Sequence, residues 1–289
     1  MLSPVRFSDP AAFLDRIRKR TGSEGVRYNL ILGVSHRLID DLHEYGQDDP
    51  WFVTLEDEGG VSGLALRTPP FEMLVAAFAG DPAEISGLLA SEASGIYDAL
   101  PGVVGEPDIA DRFARAWCAD HGIKIKHTMR QRVYSLTRVN PIPLSPGKLR
   151  PAGPGDKTLV EKWVAGFQED TFGHVDEARI ADRAERMVER GDVYLWVDGK
   201  PVSIAARTRP TGDVITIGMV YTPPHLRGRG YASSCVTTLC GLLLESGFKH
   251  CALYTDLANP ISNKIYKQIG FAEVCDSVCH TFTSKPHHG

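Results

Sequence analysis

The chain has 289 residues, 43% apolar and 24% charged, the balance of a globular protein with room for one large or two ordinary domains. A net charge of −4 gives no chain-wide attraction for nucleic acid or an acidic membrane surface, so any anion site must be local. The opening "MLSPVRFSDPAAF" lacks the basic-then-apolar layout of a signal segment, no apolar run approaches a membrane span, and six scattered cysteines (118, 235, 240, 251, 275, 279) read as reduced core thiols of a cytoplasmic protein.

The first clear element, "WFVTLEDEGGVSGLALRTPP" (Trp51 to Pro70), reads as two strands about a Gly-containing turn. Pro107 then precedes "DIADRFARAW", with Phe113 six residues on. "RVNPIPLSPGKLR" (Arg138 to Arg150), with three prolines and a glycine, favours extended chain between packed units. It divides the chain into a domain at 1–138, a linker at 139–148 and a domain at 149–289.

Beyond the linker, Thr158 to Phe167 and Asp176 to Arg190 are helical in pattern, and "DVYLWVDGKPVSIAART" is a hairpin with Asp198-Gly199 as its turn. "DVITIGMVYT" is a further strand. Ala232, Cys235, Val236, Leu239, Cys240 and Leu243 make one apolar stripe at helical spacing, with Gly247 placed to end it. "KHCALYTDL" is a strand, Asn259-Pro260 suits a helix start, and "AEVCDSVCHTFT" is the closing strand. Cys275, Cys279 and His280 lie in that strand without a second ligand pair, so no metal is expected. The order of elements is α/β or α+β. The 51–70 and 193–210 hairpins share a pattern ending in Arg-Thr, and Phe113 and Tyr266 each follow a proline by six residues, which suggests one fold used twice.

The chemistry concentrates in "YTPPHLRGRGYASS" (Tyr221 to Ser234), between a strand and the striped helix. Glycines there let the backbone approach a ligand, the helix dipole favours an anion, and Arg227 and Arg229 offer charge-assisted hydrogen bonds. On this segment alone a surface turn with two solvated arginines is the favoured account, because short glycine-rich matches are common. Neither a Gly-Lys-Ser/Thr phosphate loop nor the dinucleotide fingerprint is present.

Arg227-x-x-Gly230-x-Ala232 resembles the Gln/Arg-x-x-Gly-x-Gly/Ala motif of the GNAT N-acetyltransferase superfamily, and "LYTDLANPISNKIYKQIGF" resembles that family's next strand, Asn turn and tyrosine-bearing helix. The resemblance covers Leu149 to Thr283, and its wording is nearest the glycine-acyltransferase-like branch. It implies tandem GNAT-like domains, each a central mixed, mostly antiparallel twisted sheet flanked by helices, the first a degenerate copy without the loop. It also implies acetyl-CoA, or another short acyl-CoA, as cosubstrate. Backbone groups of the strand ending Met219-Val220-Tyr221 would pair with pantetheine. The amides of Arg229, Gly230, Tyr231 and Ala232 would hold the pyrophosphate, with Gly228 allowing the approach and Arg227 at the motif's first position. Asn259, with Asn263 after it, would meet the pantetheine arm, although Asn259 also suits plain helix capping. Tyr266 would be the general acid, its other reading being a packed tyrosine.

Glu169 and Asp256 are the candidate bases; each could instead orient a water, and a solvated or structural carboxylate is the favoured reading of both, with His174 a further candidate. Asp213 stands at the wrong end of its strand. The expected activity is acetyl transfer to a primary amine, with a small-molecule acceptor ahead of a protein. A non-catalytic CoA-binding module or sensor is the alternative, and nucleic acid, membrane and metal are not expected. A monomer or homodimer is equally compatible.

Overall fold

A computed structural model describes residues 1–173 and 175–284. They pack as two compact units, one of Met1–Val133 with Thr255–Ala258 and the chain from Val274 onward, the other of Tyr134–Tyr254 with Asn259–Glu273. The units are therefore not the two contiguous stretches 1–138 and 149–289.

The first stretch runs β1 (Ser3–Phe7), α1 (Pro10–Thr21), α2 (Asn29–Asp40), β2 (Trp51–Asp57), β3 (Gly60–Arg67), β4 (Met73–Ala77), α3 (Pro82–Ser94), β5 (Gly102–Gly105), α4 (Pro107–His121) and β6 (Ile125–Leu136). Local chemistry sets several boundaries. Asp9 and Asp81 accept N–H groups of the first turns of α1 and α3, each with proline at the first helical position. Gly122 closes α4 in a left-handed conformation. β1 to β4 pair antiparallel in sequence and β4 pairs parallel with β5. Alternation along the strands feeds two cores: Val53, Leu55 and Ala65 pack with Ile85, Leu89, Phe113 and Trp117 of α3 and α4, while Phe52, Leu64 and Leu66 pack with Phe13, Leu14 and Leu38 of α1 and α2.

The second stretch runs β7 (Lys148–Pro151), α5 (Lys157–Phe172), α6 (Glu177–Glu189), β8 (Val193–Asp198), β9 (Lys200–Thr211), β10 (Val214–Tyr221), α7 (Tyr231–Glu245), β11 (His250–Asp256), α8 (Pro260–Ile269) and β12 (Ala272–Phe282). This repeats the element order of the first. β7 to β10 are antiparallel neighbours and β10 is parallel to β11. α5 and α6 bury Trp163, Val164 and Ile180 against Leu195, Ile204 and Ala206, while α7 and α8 bury Val236, Leu239, Cys240 and Ile269 against Trp196, Ala205, Ile215 and Ile217.

The closing strand is where the linear division fails. From Val274 on, β12 belongs with the first unit and pairs antiparallel with β5, Val278 opposite Gly105 and Thr281 opposite Gly102. Side chains hold it there. His280 Nε2 is 2.7 Å from Asp111 Oδ1, its Nδ1 is 2.9 Å from Thr128 Oγ1, and Arg132 Nε donates to Asp276 Oδ1 at 2.7 Å. Val278 is fully buried in the core of α3 and α4. Truncating it should therefore weaken a core built almost wholly from residues far earlier in the chain. Val278→Ala is expected to cost about 2 kcal/mol in urea denaturation followed at the first unit. An unchanged midpoint would show that β12 contributes nothing to that core.

Candidate active site

The site begins with a fault in β10. Ile215 and Ile217 face the core under α7, so strict alternation would send residues 219 and 221 to the same side. Instead Met219 and Tyr221 pack on the α5/α6 side and Val220 on the α7 side. The register shows why: Gly218 lies opposite Ala206 and Tyr221 opposite Ile204, so three steps along β10 match two along β9. Met219 takes the extra step with φ 49°, a left-handed conformation that costs a non-glycine residue of the order of 1–2 kcal/mol. Among the described residues the parallel register with β11 ends at Thr216 opposite Ala252, so Met219–Tyr221 lie beyond the last paired rungs. On the β11 side these residues leave a strand edge beyond the paired rungs, while the Tyr221 carbonyl accepts the Ser203 hydroxyl at 3.1 Å.

The chain then passes a 3-10 turn at Pro224–Leu226 into the glycine-rich loop. Gly228 (φ 76°) and Gly230 (φ 78°) are both left-handed, and Gly230 is the N-cap of α7. Among the described residues no side chain caps this helix. The first i to i−4 bond of the turn is Ser234 N–H to the Gly230 carbonyl, at 3.0 Å, so the amides of Tyr231, Ala232 and Ser233 have no acceptor inside the helix. Together they make the positive end of a fifteen-residue helix.

Three contacts fix the loop, and none was read from the sequence. Ser145 N–H donates to Ser234 Oγ at 2.8 Å and Ser145 Oγ–H donates to the Arg229 carbonyl at 2.7 Å. The stretch read as a linker is thus seated on the loop. Tyr231 is buried, and its hydroxyl donates to Asp198 Oδ2 at 2.8 Å, which raises the phenol's pKa. Arg227 turns away from the helix end: Nε donates to the Thr222 carbonyl at 2.9 Å, the guanidinium pairs with Asp170 of α5, and it lies 5.8 Å from the Tyr221 ring centre. Arg229 stays exposed at the loop tip. Tyr221 is held in turn by α5, where a Cβ on Gly166 would come within 2.5 Å of its hydroxyl.

Asn259, Asn263 and Tyr266 fall at i, i+4 and i+7 along α8. Asn259 Oδ1 accepts the Ser262 N–H at 3.0 Å, the helix-capping use that sequence alone left open. Asn263 Nδ2 donates to the Asn259 carbonyl at 2.7 Å, and Tyr134 Oη–H donates to Asn263 Oδ1 at 3.2 Å. Tyr134 belongs to β6, remote in sequence, and no motif flagged it. Tyr266 is 8% exposed and packs edge-on to Phe271. Burial, reinforced by the nearby Cys240 thiol, raises its pKa well above the ordinary tyrosine value.

The candidate bases are not drawn together. Glu169 is exposed on α5, and it is its neighbour Asp170 that reaches the loop. Asp256 lies in the segment assigned to the first unit, where its Oδ1 accepts the Ala258 N–H at 2.8 Å. Asp213 pairs with Lys249 at 2.6 Å. His174 lies outside the described residues.

The bulged end of β10 thus runs through the glycine-rich loop into the N-terminus of α7. Residues 158–271 match the model of the acetyltransferase (GNAT) family. Among solved structures the chain is similar to a Drosophila protein (14% identity, 97% of this chain and 98% of that one, TM-score 0.67). It is also similar to a GCN5-related N-acetyltransferase from Sphaerobacter thermophilus (16% identity, 96% and 94%, TM-score 0.61). A tandem GNAT protein from the clavulanic acid biosynthesis pathway is matched over 100% of both chains at 13% identity and a TM-score of 0.55. These likenesses establish the fold. No curated protein sequence matches the chain.

The left-handed cap has a measurable cost if filled. A Cβ on Gly230 would also lie 2.7 Å from Ser145 Oγ. Gly230→Ala is expected to lose about 1–2 kcal/mol of stability. Adding Ser145→Ala should recover only the part due to that contact. A Gly230→Ala protein as stable as the parent in a urea titration would mean the cap is not left-handed in solution.

Proposed function

We propose that the second unit is an acyl-CoA-dependent N-acyltransferase moving an acetyl group from acetyl-CoA to a primary amine of a small molecule by direct attack. The observation that carries this is the junction of the bulged β10 edge with the uncapped N-terminus of α7. When bound, acetyl-CoA supplies an acyl group activated as a thioester. The residues fit it: an extended amide arm has the Met219–Tyr221 edge to pair with, and a pyrophosphate has the amides of Arg229 to Ala232. Open space surrounds the position of a Cβ at Gly228, which leaves room for close approach. Asn259 and Asn263 border the arm in this reading, and Arg227 would have to leave Asp170 to contribute charge.

Tyr266 holds its proton at Oη and gives it to the departing sulfur. Burial keeps the phenol protonated, as an unshifted one would already be at neutral pH, and makes it a weaker acid, so its case as donor rests on its place in α8. The same shift favours the folded state: the contribution is complete below about pH 10, the ordinary tyrosine value, and is lost as pH climbs through the folded one. Glu169 and Asp256 are the groups to test as proton acceptors for the amine. We read the first unit as a degenerate copy of the fold, supported by the repeated element order and by fully buried Phe113, which has no proton to give. The motif wording favours the glycine-acyltransferase-like branch.

Acetyl-CoA is expected to raise the melting temperature by mass action, and Gly230→Glu to abolish that shift by placing bulk and negative charge at the helix end. Absence of a shift with both acetyl-CoA and CoA would remove the donor assignment. Tyr266→Phe should keep the CoA shift while turnover on an amine panel falls by about 100-fold or more. In the parent, no loss of activity below about pH 10 should trace to Tyr266. A CoA shift without turnover on any amine would favour a CoA-binding sensor instead.

A further inference from the structure

A cavity lies in the first unit, at the opposite end of its strands from the place equivalent to the β10 edge. By the shared element order β4 corresponds to β10, and the end of β4, Ala77, lies opposite Gly63. Arg67 is four residues further along β3, about 13 Å at the rise of a strand, opposite Trp51 at the start of β2. There a cavity of about 400 Å³ is lined by Asp48, Asp49, Trp51, Arg67, Ile96 and Tyr97, among others. That volume is in the range of small-ligand pockets.

Arg67 is the unusual member. It is 8% exposed, its Nε donates to the Phe71 carbonyl at 3.3 Å, and its guanidinium lies 4.1 Å from the Tyr97 ring centre. Trp51 meets Tyr97 edge-on at 6.1 Å, completing an aromatic wall. Among the described residues no carboxylate stands within ion-pair distance of Arg67. Its equivalent in the second unit shows what is missing: Arg207, facing the start of β8, pairs with Asp192 at 3.3 Å, whereas Arg67 faces Trp51. Arg16, Arg27 and Arg150 are bonded to carboxylates and shift upward in pKa, while burial moves Arg67 downward. Tyr97 and the charge of Asp48 partly offset that burial, and a ligand carboxylate bonded directly to the guanidinium would offset more of it. Asp48 and Asp49 stand exposed on the same cavity.

We infer that this pocket binds a small apolar amino acid or a similar zwitterion, with its carboxylate on Arg67, its ammonium group toward Asp48 and Asp49, and its apolar part against Trp51, Tyr97 and Ile96. The site is independent of any acyl donor, so it is tested without one. Calorimetric titration of the full chain should show L-phenylalanine binding. 3-Phenylpropanoate, which lacks the amine, should bind more weakly, and 2-phenylethylamine, which lacks the carboxylate, not measurably. Arg67→Met should weaken L-phenylalanine by roughly tenfold to a hundredfold. The exposed double change Asp48→Asn with Asp49→Asn, which does not disturb a core, should remove the preference for L-phenylalanine over 3-phenylpropanoate, the latter binding somewhat more tightly as two like charges leave the pocket. The assignment is overturned if neither acid binds, if Arg67→Met leaves L-phenylalanine affinity unchanged, if the amine alone binds as well, or if removing both carboxylates leaves the preference for L-phenylalanine over 3-phenylpropanoate unchanged.

Discussion

One inserted residue in β10 sets the geometry of the second unit's site. A β-strand presents side chains to alternate faces, so a single extra step reverses the facing of everything beyond it. Without the step at Met219, Tyr221 would point toward α7 rather than α5. The contact of its phenol with Gly166, and with it the approach of the chain to the glycine loop, would be lost. The left-handed conformation at Met219 costs energy locally. Burial of its side chain among Trp163, Val164 and Ile204 offsets that cost.

The loop that follows is held from three sides by contacts of different character. Ser145 fixes the Arg229 carbonyl and the Ser234 hydroxyl, Asp198 fixes Tyr231, and Asp170 draws off the guanidinium of Arg227. The last is a half-exposed ion pair, with side chains 47% and 43% accessible, and exposed pairs are typically worth no more than about 1 kcal/mol. The Ser145–Ser234 and Tyr231–Asp198 bonds are part-buried, while the bond from Ser145 to the Arg229 carbonyl is exposed. A loop fixed in shape but guarded by a weak pair can keep its amides directed outward while Arg227 remains free to change partner.

Much of the fold could be read from residue order because its signals are local. Asn259-Pro260 marks the start of α8 through a cap that bonds Ser262, Asp198-Gly199 turns the hairpin with Gly199 left-handed, and the stripe Cys235, Val236, Leu239, Cys240, Leu243 is buried as its spacing requires. The glycine loop was recognisable for the same reason. What escaped reading is non-local. Ser145 looked like linker because prolines surround it, yet its partners are 84 and 89 residues away. Tyr134 is 129 residues from the Asn263 it bonds. Asp170 and Glu169 are adjacent carboxylates on one helix, and only the direction of α5 decides which of them meets the loop.

The sequence by itself determined the elements, their caps and turns, and the glycine-capped helix end, since each depends on conformational preferences within a few residues. The tertiary structure alone decided the companion of the closing strand. Nothing in "AEVCDSVCHTFT" tells β5 from any other edge. The choice is made by His280 against Asp111 and Thr128, and by Val278 filling the core of α3 and α4. It also decided that Arg67 lies buried with an aromatic neighbour where Arg207 has a carboxylate, because a side chain's counter-ion is set by the residue across the sheet and not by the residue beside it in the chain.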